Sequence, residues 1–175
     1  MLRDFRESDR TLEESIHSDQ SLFVHLPIEP RSESEIDEYV QARLKRQTLD
    51  EVGGTSAVVI ETINDGHYVG AIQLTPLAMD PLQVSIGWLA LASQQGNGYV
   101  SEAVGKVVDL LFGSLDAHRI VAEIITGNDA SVRLAERLGF RREAHFVKSL
   151  KLNGEWRDEL VYSILKDDWQ SNTAV

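Results

Sequence analysis

The chain has 175 residues, no cysteine and a formal net charge of −11, with 42% hydrophobic and 26% charged residues. That length suits one domain over residues 1–175, and no apolar run approaches the roughly 20 residues needed to cross a bilayer. The absence of cysteine excludes a disulfide framework, a thiolate nucleophile and a cysteine zinc site, and the acidic balance argues against a nucleic-acid partner.

The opening "MLRDFRESDR" has no apolar export segment, so a cytoplasmic setting is expected, with no membrane partner. Residues 1–51 carry thirteen acids against seven bases, whereas Arg133, Arg137, Arg141, Arg142, Lys148 and Lys151 crowd one later stretch. Either the two regions favour opposite ligand charges or the scatter is that of a solvated surface.

Ser32 followed by Glu35 is a capping-box pattern, and Ile36, Tyr39, Val40 and Leu44 follow at helical spacing, so a helix is expected at about 33–48. "TSAVVIET" reads as a strand, "NDG" at 64–66 as a hairpin turn and "HYVGAIQL" as the return strand. After Asp80-Pro81, the alternation of Val84, Ile86 and Trp88 predicts a third strand of the meander. Apolar residues at 100, 103, 104, 107, 108 and 111 then mark an amphipathic helix. "RIVAEIIT" at 119–126 reads as a buried strand, and Asn128 or Asp129 can cap a short helix that ends at Gly139. "REAHFVKSLKL" and "EWRDELVYSIL" flank Asn153-Gly154, a hairpin signal. The order is helix, three strands, helix, strand, helix, two strands.

Gly96 and Gly98 stand at the mouth of the helix that begins near Val100. A helix N-terminus has unpaired N–H groups and partial positive charge, so glycines there let an anion approach the backbone; the same pair also suits a bare tight turn. The third glycine of a dinucleotide loop would fall at Ser101, and no Gly-Lys-Ser/Thr is present. A different phosphate-bearing ligand is implied.

Gln95-Gly96-Asn97-Gly98-Tyr99-Val100 resembles the acyl-CoA pyrophosphate loop of the GNAT superfamily of N-acetyltransferases. "SIGWLALASQQGNGYVSEAV", "NDASVRLAERLGF" and "LNGEWRDELVYSILKDDW" are similar to three blocks of its branch of ribosomal-protein N-terminal acetyltransferases (RimJ/RimL-like). The resemblance implies an α/β (α+β) fold: a central, twisted, mixed and mostly antiparallel sheet of about six or seven strands. Helices cover both faces, and the sheet is splayed between the strand ending near Leu89 and the strand at 119–126.

By the same resemblance acetyl-CoA is the co-substrate and no metal is called for. The backbone of Leu89, Ala90 and Leu91 would pair with its pantetheine arm, and N–H groups of Gln95, Gly96, Asn97, Gly98, Tyr99, Val100 and Ser101 would hold its pyrophosphate. Val100 stands where Gly or Ala is commonest, a change that a backbone contact tolerates if the side chain turns into the core. Ser131 is expected to donate to the CoA sulfur and Asn128 to orient the arm; both residues are also good helix caps. The tyrosine acid of many relatives is replaced by Ala135.

The chemistry also needs a base, and the resemblance points to Glu123, whose carboxylate in an apolar run should have a raised pKa unless it faces solvent at the strand edge. His118 and His145 are weaker candidates, and a water chain can replace a side-chain base. Arg133 and Arg137 either meet the nucleotide phosphate or are solvated. By the resemblance, the regions of His25, before the Pro27 and Pro30 loop, and of Trp156 and Asp158 would border the acceptor pocket, although Trp156 suits cross-strand packing better. The expected activity is acetyl transfer to a primary amine, first a protein or peptide α-amino group and second a small amine such as a polyamine, amino acid or antibiotic. A non-catalytic acyl-CoA-binding module is the reading from another class, and a homodimer is left open.

Overall fold

The computed structural model describes residues 1–26 and 28–173. Seven strands form one sheet: β1 (Leu2–Asp4), β2 (Ser56–Glu61), β3 (Tyr68–Met79), β4 (Leu82–Ala90), β5 (Arg119–Ile125), β6 (Arg141–Leu152) and β7 (Glu155–Leu165). Their spatial order is β1-β2-β3-β4-β5-β7-β6. Every adjacent pair is antiparallel except β4 and β5, which run parallel. That parallel ladder joins Gln83 to Arg119, Val84 to Ile120 and Ser85 to Val121, and then stops although β4 runs on to Ala90 and β5 to Ile125. The sheet is therefore splayed at its centre, as the sequence led us to expect.

Side-chain alternation sends neighbouring residues of each strand to opposite faces. On one face Ile72, Val84, Ile86, Ile120, Ala122 and Ile164 pack against Val104, Val107, Val108 and Leu111 of α3 (Tyr99–Gly113) and Ala135 of α4 (Asp129–Arg137). On the other, Phe5 and Val59 meet Ile36 and Val40 of α2 (Glu33–Lys45). A third cluster joins Ile16 of α1 (Arg10–Ser18) and Phe23 to Leu89 and Leu91. A fifth helix, α5 (Lys166–Thr173), follows β7.

The nine elements expected from sequence are all present. Their ends follow local chemistry: Glu35 accepts hydrogen bonds from the backbone N and hydroxyl of Ser32 at 2.8 and 2.6 Å, fixing the start of α2. That helix stops at Lys45 rather than 48, because Arg46 leaves the helical region. Asn153 and Gly154 turn the last hairpin with φ of 51° and 82°, the left-handed pair that a tight two-residue turn requires.

Three elements were not anticipated: β1, α1 and α5. The inward residues of α1 are Glu13, Ile16 and His17, so its buried face carries almost no apolar signal. An ionic clamp sets the start of this helix. The Arg3 guanidinium reaches Asp9 at 2.7 Å and Glu61 at 2.5 Å, and Asp9 is 2% exposed. One arginine thus ties the first strand and its neighbour to the residue that precedes α1.

At the splay β3 and β4 approach closely: a Cβ on Gly70 would lie 2.0 Å from the Leu89 carbonyl oxygen. Nothing lies within 4 Å of the corresponding position at Gly87. Gly70→Ala should therefore cost at least about 1–3 kcal/mol in urea unfolding, the usual range for overpacking, and Gly87→Ala less than about 0.5 kcal/mol. Equal midpoints for the two variants would contradict this account of the strand approach.

Candidate active site

The loop after β4 is closed by its own amides. Gln95 Nε2 donates to the Ala90 carbonyl at 3.3 Å, and Asn97 Nδ2 donates to the carbonyls of Gln94 and Gln95 at 3.3 and 3.4 Å. Gly96 and Gly98 both have φ of 80°, and Gly98 caps α3. A side chain there would meet open space, so the glycines serve backbone conformation rather than clearance. They deliver the unpaired N–H groups of the first turn of α3 to the loop's concave side. Val100 lays its half-buried side chain on the main core, as the sequence reading required.

A cleft of about 710 Å³ runs from this loop to α4. Leu89, Ala90, Gln95, Gly96, Gly98, Tyr99, Val100 and Ser101 line it, with Asn128, Ser131, Arg133 and Arg137 on the opposite wall. The two arginines are exposed and make no ion pair among the described residues. Two sequence candidates stand back from it: Leu91 packs into the α1 cluster, and Asn97 is spent on closing the loop. The donor set suits a long polyanionic ligand with an amide-bearing arm, because unpaired strand edge, helix N-terminus and two cations lie along one cleft.

On the other face a cavity of about 290 Å³ lies between the sheet and a roof made by α1, α2 and the segment around residue 31. His25, Leu26, Trp88, Leu89, Asn128 and Ser131 border both spaces, so cleft and cavity meet in the gap between β4 and β5. At this junction Asn128 Oδ1 accepts from the Ser131 backbone N–H at 3.2 Å, capping α4. Trp88 Nε1 donates to Ser131 Oγ at 3.1 Å. The hydroxyl oxygen is thereby occupied as acceptor while its own proton stays free to be donated. Asn128 therefore caps α4, and both residues border the junction of cleft and cavity.

Glu123 lines the cavity and is exposed, the solvent-facing alternative of the sequence reading. Its half-buried neighbour Glu159, opposite Ile125 on β7, has its carboxyl pushed upward by burial and then by the charge of Glu123. His118 and His145 lie outside both spaces: the first is exposed near the start of β5, and the second pairs with Asp158 at 2.8 Å. Trp156 and Asp158 also fall outside the cavity, Trp156 at a cross-strand position as the packing alternative had it. Trp156 is 59% exposed opposite Lys151, and the Asp158 carboxylate is held low first by the Lys148 backbone N–H and then by His145. His25 is at the junction, and Pro27 of the loop after it lies outside the described residues.

The roof supplies residues that sequence reasoning missed: Glu13, His17, Arg31 and Tyr39. The Arg31 guanidinium lies 4.1 Å from the Tyr39 ring centre, and its backbone N–H donates to His17 Nδ1 at 3.1 Å. His17 is pushed down by burial and then by Arg31, which keeps its ring neutral. Burial pushes the Glu13 carboxyl up to about 7 against the opposing pull of Arg43 and Arg31. The one available signal was the spacing of Glu13 and His17 around Ile16, which puts two titratable groups on one helix face. No group of three or more metal-binding side chains occurs among the described residues.

Comparison with known proteins agrees with this architecture. The chain is 36% identical to the probable N-acetyltransferase YjcK of Bacillus subtilis (strain 168) over 110 residues, 62% of this chain and 61% of that protein. It is 30% identical to the putative ribosomal N-acetyltransferase YdaF of the same organism over 106 residues, 61% of this chain and 58% of that one. These matches span about three fifths of the relatives' length. A crystal structure of spermidine N-acetyltransferase from Vibrio cholerae in complex with CoA and spermine superposes with a TM-score of 0.84 at 20% identity, covering 97% of each chain. A family model described as acetyltransferase (GNAT) domain matches residues 1–141. The chain belongs to the acetyltransferase (GNAT) domain family.

Proposed function

We propose that the protein is an acetyl-CoA-dependent N-acetyltransferase of the RimJ/RimL-like branch, whose acceptor is the α-amino group of a protein or peptide N-terminus. The observation that carries this reading is the meeting of two separate spaces at Ser131 in the β4–β5 gap, one fitted to a polyanionic arm and the other open to an amine. The name of the ribosomal relative YdaF supports the acceptor class. A small polyamine is the second reading, favoured by the carboxylates of Glu123 and Glu159 on one face of the cavity and by the spermine complex of the structural neighbour.

When bound, acetyl-CoA supplies a thioester carbonyl that a neutral amine attacks, with departure of a thiolate. The edge of β4 beyond Ser85 that β5 leaves unpaired, close to Leu89 and Ala90, would receive the pantetheine amides. Backbone N–H groups along Gln95, Gly96 and Gly98 to Ser101 receive the pyrophosphate, and Arg133 and Arg137 meet the nucleotide's phosphate. Ser131 donates its free hydroxyl proton toward the leaving sulfur, held in aim by Trp88 and by the Asn128 cap. The acidic rim of Glu123 and Glu159 draws an ammonium into the cavity mouth.

The test is release of CoA with a short peptide bearing a free N-terminal alanine, compared with spermidine. Turnover of the peptide with little from spermidine is expected; the reverse would move the acceptor to the second reading, and firm acetyl-CoA binding without release from any amine would leave a binding module. Ser131→Ala should lower kcat by about 10²-fold, the scale of losing one preorganised donor, while the dissociation constant for acetyl-CoA stays within about threefold. An unchanged kcat would remove Ser131 from the chemistry.

A further inference from the structure

If the transferase reading holds, an acceptor arrives as an ammonium ion and must lose a proton before it can attack. The mouth residue Glu123 is exposed to solvent, whereas Glu13 lies inside the roof. We propose that Glu13, in the roof of the acceptor cavity, is the group that takes the proton from the acceptor's ammonium.

Glu13 is 7% exposed, its carboxylate makes no hydrogen bond among the described residues and opens to the cavity, and the neutral His17 ring stands 3.8 Å away at Nε2. Buried carboxylates are ordinarily paired or hydrogen-bonded, because the uncompensated charge is costly. Other groups around it are committed elsewhere. Asp9 is bound by Arg3, Arg43 donates to the Thr55 carbonyl at 3.1 Å, and Arg31 lies on the Tyr39 ring. His17, from the same helix, is neutral and holds the Arg31 backbone. The hydroxyl of Tyr39 accepts from Gln73 at 3.3 Å, and Tyr68 presents a phenol that burial keeps protonated. Glu13 is left with free lone pairs on a wall of the cavity.

The surroundings tune it for the task. Burial raises the carboxyl, Asp9 raises it further, and Arg43 and Arg31 restrain the rise, so that it is pushed to about 7. A base poised there can both accept a proton from an ammonium and return it to solvent near neutral pH. The balance of the reaction is simple. The first proton passes from the ammonium nitrogen to Glu13; the nitrogen lone pair then forms the C–N bond as the C–S bond breaks. The second proton that the nitrogen sheds leaves with CoA as its thiol. Glu13 returns its proton to bulk solvent, and one proton is released per turnover.

Two measurements test this, using whichever of the alanine peptide and spermidine the wild-type protein acetylates. In wild type kcat/KM should rise with pH through about 7. Glu13→Gln should abolish that limb and lower kcat about 10²-fold with the KM for acetyl-CoA held within about twofold, Glu13→Asp should restore part of the rate, and Glu159→Gln should keep the limb. Persistence of the limb in Glu13→Gln, or its loss in Glu159→Gln, would overturn the proposal. The second measurement needs no acceptor. A carboxyl whose folded pKa is raised holds its proton when the unfolded chain has lost it, so wild-type stability falls as pH rises from 4.5 to about 7 and then levels. Across that window the wild-type Tm should drop by about 7 to 14 °C relative to Glu13→Gln. A constant Tm difference would sink the Glu13 assignment alone, whereas binding of acetyl-CoA without release of CoA from any amine would sink the transferase reading on which it rests.

Discussion

The parallel ladder between β4 and β5 ends after three residue pairs, and the rest of the molecule is organised around that early ending. Two strands that diverge inside a sheet expose backbone groups that must find partners elsewhere. The same divergence opens a passage from one face of the sheet to the other. On the α3–α4 side the passage meets a glycine loop and a helix N-terminus; on the α1–α2 side it meets a partly polar cavity. Ser131, Trp88 and Asn128 stand in the passage itself, fixed to one another by hydrogen bonds.

The two sides of the sheet differ in how they are held. The α3 side is a dry, aliphatic core in which Val104, Val108, Leu111, Ile72, Val84 and Ile120 are fully buried. Such packing keeps the cofactor side rigid. The α1 side replaces part of that packing with charge: Asp9 is clamped by Arg3, Tyr39 lies against Arg31 and Arg43, and Glu13 and His17 face inward. Burying these groups sacrifices stability, and buried polar groups of this kind cluster where chemistry or selectivity requires them.

This division explains what was legible in the sequence. The α3 helix, β2 to β5 and the final hairpin announced themselves because their apolar residues keep a clean period and their turns carry Asn-Gly or Asp-Gly. The glycine loop before α3 was legible because glycines at 96 and 98 have a backbone duty that the φ angles now make plain. The roof was not legible. In α1 the inward positions are occupied by Glu13 and His17, so periodicity was silent where it mattered. For Glu123 the run "RIVAEIIT" left burial and a solvent-facing strand edge equally open, and the structure shows the exposed position. Trp156 and Asp158 were linked to the pocket only through the family resemblance, and the hairpin sets Trp156 across from Lys151, the packing position its residue type suggested.

The central claim is that the β4–β5 gap and the Gln95–Ser101 loop form an acyl-CoA site, and thermal unfolding with saturating ligand tests it without any acceptor. Acetyl-CoA at 100 times its dissociation constant should add about 2.7 kcal/mol, or roughly 5 to 11 °C for a domain of this size, while NAD and ATP at the same concentration should add much less. No shift with acetyl-CoA, or an equal shift with all three ligands, would contradict the assignment.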